Sequence, residues 1–176
     1  MAECTRLVIG VGNPFRRDDG IGPAVIQRLT ADPDLRGIDL LDGGTDGFAL
    51  LDDVNAYAHV LIIDAVDMGL PPGEIRVFSP AEAKLTIRTD ALSTHGFGLA
   101  EVLSLLDTLE IDTDLQILGI QAKDISFGEG MSHEVAAQIE EIIGVVKQIC
   151  FKPKNSREDT PTAASHPQEC GQQENL

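Results

Sequence analysis

Short apolar runs alternate along this chain with segments whose apolar residues recur every three or four positions. The runs are typical of buried strands, and they lie at 7–11, 38–41, 59–64, 74–78 and 115–120. The periodic segments predict helices, and these lie at 21–29, 48–54, 95–106 and, after a Ser132 cap, up to Ile149. Strands that alternate with helices indicate a layered α/β fold.

One strand is expected to run against its neighbours. Only residues 65–73, which include Pro71 and Pro72, separate the predicted strand at 74–78 from the one before it. A parallel crossover needs about a dozen residues or more. The linker therefore predicts an antiparallel strand within an otherwise parallel sheet.

Composition limits the classes of partner and compartment. The net charge of −16 over 176 residues disfavours nucleic acid and anionic membrane surfaces as partners. Three cysteines without a CxxC pair, and no leader or long apolar run, favour a cytoplasmic protein. Residues 151–176 are nearly devoid of apolar side chains, which predicts a disordered tail behind a single domain at 1–150.

Four chemically capable side chains follow predicted strands or begin predicted helices. They are Asp18, Asp19, Asp64 and His95. In an α/β sheet such positions meet in one crevice, where two carboxylates and an imidazole suit a divalent metal. Acid–base chemistry without a metal is the alternative. Either of the adjacent aspartates could instead cap the first helix, and the sequence does not choose between them.

Several common catalytic motifs are absent. The turn at 10–15 has Phe15 where a dinucleotide fingerprint needs its third glycine, and no Gly-Lys-Ser/Thr follows it. Neither a Gly-x-Ser-x-Gly elbow nor a His-Glu-x-x-His helix is present. A magnesium-dependent phosphatase using Asp64 and Asp67 is a further alternative, but their Asp-x-x-Asp spacing differs from the Asp-x-Asp of haloacid-dehalogenase-type phosphatases.

Four segments together carry a family resemblance. They are GVGNPFRRDDGIG at 10–22, LDGGTDG at 41–47, HVLIIDAV at 59–66 and STHGFGLAEVL at 93–103. In this order they resemble the hydrogenase maturation endopeptidases, and the similarity extends over roughly residues 7–149. The resemblance implies three α/β/α layers around a mixed five-stranded sheet with one antiparallel strand.

The resemblance also implies a reaction. Members of that family remove a C-terminal extension from the large-subunit precursor of nickel–iron hydrogenases after nickel has been inserted. At the matching positions, Asp19, Asp64 and His95 are the implied catalytic residues and the ligands of nickel that the precursor carries. Gly43, Gly44 and Thr45 match a loop linked to substrate recognition.

The chemistry of the cut stays open at this point. Nickel could polarise the scissile carbonyl or activate a water, or one carboxylate could act as a general base. A nickel-sensing chaperone that binds the precursor without cutting it would need the same ligands. One departure from the family is the loop at 119–123, which lacks the proline that members often carry.

Overall fold

A computed structural model describes residues 6–47, 49–86, 99–109 and 113–151. It contains one five-stranded sheet of order β2-β1-β3-β5-β4. The strands are β1 Arg6–Val11, β2 Asp39–Gly44, β3 His59–Val66, β4 Ile75–Phe78 and β5 Asp114–Gln121. Strands β2, β1, β3 and β5 are parallel, while β4 runs antiparallel to β5 at the edge. The mixed sheet and its reversed strand are confirmed, and the short linker is the physical reason.

Helices cover both faces of the sheet. They are α1 Ile21–Thr30, α2 Leu50–Ala56, α3 Pro80–Thr86, α4 Leu99–Thr108, α5 His133–Ala136 and α6 Ile139–Phe151. One buried cluster joins α2, α3 and α4 to the sheet, and a second joins α1, α5 and α6 to its other face. Along β3, Ile62 belongs to the first cluster and Ile63 to the second, because successive side chains of a strand point to opposite faces. This is the predicted three-layer arrangement.

Strands β2 and β3 extend two or more residues beyond their predicted ends, and β5 extends one residue beyond its own. Strand β2 continues through Gly43 and Gly44, which we expected to lie in a loop, and β3 continues to Val66, past Asp64. Pairing with neighbouring strands explains both extensions. Gly44 is in register with Val11 of β1, and Val66 pairs with Gln121 of β5. Glycine and aspartate normally favour turns, but here the partner strand determines where the strand stops.

The helices differ from the prediction in two places. Helix α3 was not predicted, although Ser79 and Glu82 form a capping box in which the Ser79 amide donates to Glu82 Oε2 at 2.8 Å. The last predicted helix is two helices, because a turn at Ala137 and Gln138 separates α5 from α6. The predicted Ser132 cap is present, with the Val135 amide donating to its hydroxyl.

Some predictions fall on residues that the structure does not describe. His95, the start of its predicted helix and the predicted tail from residue 152 onward all lie outside the described ranges. None of the helices within those ranges combines the length and apolar character that crossing a membrane requires.

Candidate active site

The turn after β1 places Asp19 at the carboxyl edge of the sheet. Gly12 has a φ of +129°, and a Cβ atom there would lie 1.8 Å from the carbonyl oxygen of Asp19. Only glycine therefore lets the short 3-10 turn Arg17–Gly20 approach the strand end so closely. The Asn13 amide donates to Asp19 Oδ2 at 2.9 Å, which orients the carboxylate.

Asp18 has a structural role. Its side chain is fully buried. Oδ2 accepts from the amides of Lys123 and Asp124 at 2.8 and 2.9 Å, and from the Ser132 hydroxyl at 3.0 Å. Oδ1 accepts from the Ser132 amide at 2.6 Å. Four donors saturate this carboxylate and tie the loop after β5 to the turn after β1.

Asp64 lies near the carboxyl end of β3 and is partly buried. Burial raises the pKa of this carboxyl well above its usual range, and the negative charge of Asp19 raises it further. A hydrogen bond from the Ala65 amide lowers the pKa by less. The two carboxylates are thus close enough to repel each other, and a proton or a bound cation would relieve that repulsion.

His95, the third predicted ligand, lies outside the described residues. Among the described residues, no three His, Cys, Asp or Glu side chains form a potential metal site. The arrangement therefore contains two oxygen donors of the predicted trio, Asp19 and Asp64.

The predicted recognition segment borders the Asp19 turn. A Cβ atom on Gly43 would lie 2.8 Å from Ile9 Cγ2, so β2 packs here with no space for a side chain. Gly44 has a φ of +55°, and its carbonyl accepts from the Gly12 amide at 2.8 Å. Gly43 and Gly44 thus form the end of a strand, and exposed Thr45 begins the turn that follows.

Gln121 is a residue that the sequence analysis missed. It is buried, and its Oε1 accepts from the amides of Met68 and Leu70 at 2.7 and 3.1 Å. Its Nε2 donates to Asp67 Oδ1 at 3.2 Å. The side chain therefore fastens the loop that follows Asp64 on β3. The available signal was a polar residue directly after the apolar run of β5.

This bonding also explains two features noted in the sequence. Residues 119–121, which we expected to begin a loop without the family's proline, are the end of β5, and the loop that follows is held where the Lys123 amide donates to Asp18. Asp67, the second carboxylate of the phosphatase alternative, accepts from the Gly69 amide at 3.0 Å and from Gln121. Its described contacts therefore shape a loop.

Comparison with known proteins identifies the family. Residues 23–149 match the family model of HycI, hydrogenase maturation protease. This chain belongs to the hydrogenase maturation protease family. The family's reaction is hydrolysis of peptide bonds, so the predicted enzyme class is confirmed at that level.

Two relatives and one solved structure illustrate the similarity. The hydrogenase 2 maturation protease of Escherichia coli K12 is 34% identical over 139 residues, which are 76% of this chain and 83% of that protein. The hydrogenase expression/formation protein HupM of Azotobacter chroococcum is 31% identical over 144 residues, 79% of this chain and 68% of HupM. The solved structure of the hydrogenase maturating endopeptidase HybD from E. coli superposes with a TM-score of 0.68 at 32% identity, covering 80% of this chain and 88% of HybD.

Proposed function

We propose that this protein is the endopeptidase that removes the C-terminal extension from a nickel-loaded large-subunit precursor of a nickel–iron hydrogenase. The observation that supports this most is the pair Asp19 and Asp64 at the carboxyl edge of the sheet of a hydrogenase maturation protease. Burial and the negative charge of Asp19 raise the pKa of Asp64, so its ionised form lacks full compensation in the free protein. A divalent cation supplied by the substrate would provide that compensation.

In this proposal nickel arrives with the precursor and is not a resident cofactor. Asp19 and Asp64 provide oxygen ligands and His95 provides a nitrogen ligand. A precursor without nickel lacks the feature that these side chains recognise, so the metal acts as a gate for cleavage. Nickel bound there would polarise the scissile carbonyl or activate a water.

The protein's own groups could contribute in a second way. A carboxylate next to the scissile bond can take a proton from the attacking water as a general base. The Asn13 amide orients Asp19, and Asp64 lies on strand β3. The proposed site thus accommodates either route with the same residues. The cytoplasmic compartment and the absence of nucleic-acid and membrane partners stay predictions from composition.

The test is cleavage of the nickel-loaded precursor at a substoichiometric amount of this protein, followed by the mass of the large subunit. We expect Asp19→Asn, Asp64→Asn and His95→Gln each to lower the rate about 100-fold or more. Asp52→Asn, on an exposed position of α2, is the matched carboxylate control and should cleave like the wild type.

Three outcomes would contradict the proposal. Folded Asp19 and Asp64 variants that cleave at the wild-type rate would show that these residues are not the active site. Cleavage of nickel-free precursor at the same rate would show that nickel is not required for recognition. Tight binding of the precursor with no shortened product from the wild type would favour the chaperone alternative instead.

A further inference from the structure

Two phenylalanines are exposed on adjoining loops next to the candidate site. The side chains of Phe15 and Phe127 are 68% and 70% exposed. The Gly128 amide donates to the Phe15 carbonyl at 2.9 Å, and the Arg17 amide donates to the Gly128 carbonyl at 3.2 Å. These bonds hold the tip of the turn after β1 against the loop after β5. We name Phe15 and Phe127 the phenylalanine rim.

Further contacts keep the rim in place. Arg16 Nε donates to the Ile125 carbonyl at 3.0 Å, and its guanidinium lies 5.2 Å from the centroid of the Phe127 ring. Asp18 ties the same two loops together through the amides of Lys123 and Asp124. The rim therefore consists of large apolar surfaces on braced backbone, which loses little conformational entropy when a partner binds.

The position of the rim relates it to the site. Phe15 lies in the same turn as Asp19, and the Asn13 amide, two residues before Phe15, holds the Asp19 carboxylate. A polypeptide that reaches Asp19 therefore comes within reach of Phe15. Arg17 is paired with Asp124 at 3.3 Å, so the rim and its surroundings offer apolar contact more than free positive charge.

We propose that the phenylalanine rim docks apolar side chains of the large-subunit precursor beside its cleavage point. This inference rests on the proposed function, because it takes the occupant to be the polypeptide that the site cuts. Burying exposed phenylalanine against apolar side chains is favourable, and phenylalanine and arginine are both enriched in protein interfaces. A rim held rigidly next to the site is accordingly a specificity determinant for the precursor.

The test measures steady-state cleavage of the nickel-loaded precursor by Phe15→Ser, Phe127→Ser and the double variant. We expect the double variant to raise KM about tenfold or more while kcat stays within about twofold, since the rim contributes to binding and not to the chemical step. A Phe15→Tyr and Phe127→Tyr pair should retain a KM near the wild-type value, because the aromatic surface is preserved.

Phe151→Ser is the matched control. Phe151 is 53% exposed at the end of α6. Arg6 at the start of β1 donates to the nearby Ile149 carbonyl, so Phe151 lies at the opposite end of the sheet from Asp64. The double variant and Phe151→Ser should both unfold at the wild-type temperature, as proteins with exposed substitutions usually do. Phe151→Ser should also leave KM unchanged.

The outcomes separate this inference from the proposed function. If the wild type yields no shortened precursor, the proposed function fails. If the wild type cleaves and the double variant keeps the wild-type KM, only the rim fails. Light scattering over a range of protein concentrations measures whether the protein associates with itself. Self-association of the wild type that the double variant loses would overturn the precursor as occupant in favour of a second copy of this chain.

Discussion

Asp18 and Asp64 are both carboxylates shielded from water, yet their surroundings are opposite in character. Asp18 is fully buried and receives four hydrogen bonds from three residues of the loop after β5. Asp64 receives a hydrogen bond from the Ala65 amide and faces the negative charge of Asp19. One carboxylate is surrounded by donors, and the other is placed beside a like charge.

The difference shows a structural role for Asp18 and supports the proposal that Asp64 takes part in the reaction. Burying a carboxylate costs free energy unless hydrogen bonds or a cation compensate it. The donors around Asp18 supply that compensation in the free protein, so its effect is to join two loops. At Asp64 the cost remains in the free protein, and a cation delivered by the substrate would relieve it. The three predictions below test this contrast, beginning with the largest expected change.

Asp18→Ala should strongly destabilise the protein. The substitution leaves the buried amides of Lys123, Asp124 and Ser132 without their acceptor, which costs about 3 kcal/mol or more. A loss of that size lowers the unfolding temperature by roughly 6–12 °C in a chain of this length. Urea unfolding measures the free energy directly, and Asp52→Ala on the exposed face of α2 is the control. An Asp18→Ala protein as stable as this control would show that Asp18 does not stabilise the fold.

Gln121→Leu should have a smaller effect of the same sign. Gln121 is an uncharged side chain that holds the loop after β3. The substitution therefore shows whether a buried acceptor without charge also stabilises a loop. The amides of Met68 and Leu70 lose their acceptor, which costs about 2 kcal/mol. Gln116→Leu, earlier on the same strand and partly exposed, is the matched control and should change stability by less than about 0.5 kcal/mol. Equal effects of the two substitutions would show that the loop does not depend on Gln121.

Local patterns predicted much of the fold. The antiparallel direction of β4 followed from the length of the linker before it, which is a property of a single stretch of chain. Helical spacing predicted the helix at 95–106, and Val102, Leu103 and Leu106 in its described part, α4, are buried. Such features depend on residues close together in sequence, so one sequence is enough to predict them.

Features that depend on distant residues were not predictable. Asp18 and Asp19 are identical side chains at adjacent positions, and donors more than 100 residues later in the chain decide which one is buried. The extension of β2 through Gly43 and Gly44 likewise depends on pairing with β1. The capping box of Ser79 and Glu82 was a local signal and could have been recognised.

Asp64→Asn should change stability in the opposite direction to Asp18→Ala. Burial and the charge of Asp19 raise the pKa of Asp64 above the value of 3.8 of an ordinary aspartate. The folded state therefore holds this proton more tightly than the unfolded chain. The resulting stabilisation of the wild type is fully present below the unfolded pKa and is lost as the pH rises through the higher, folded pKa.

An asparagine at position 64 has no charge to bury, so it escapes that loss. The variant should unfold a few degrees above the wild type at pH 7, and the difference should shrink as the pH falls toward the ordinary aspartate range. Thermal unfolding without metal at a series of pH values measures this, with Asp52→Asn as the exposed control. A variant less stable than the wild type at pH 7 would mean that Asp64, like Asp18, holds the fold together. A variant that is more stable but unable to cleave would mean that the protein tolerates a destabilising carboxylate because the reaction uses it.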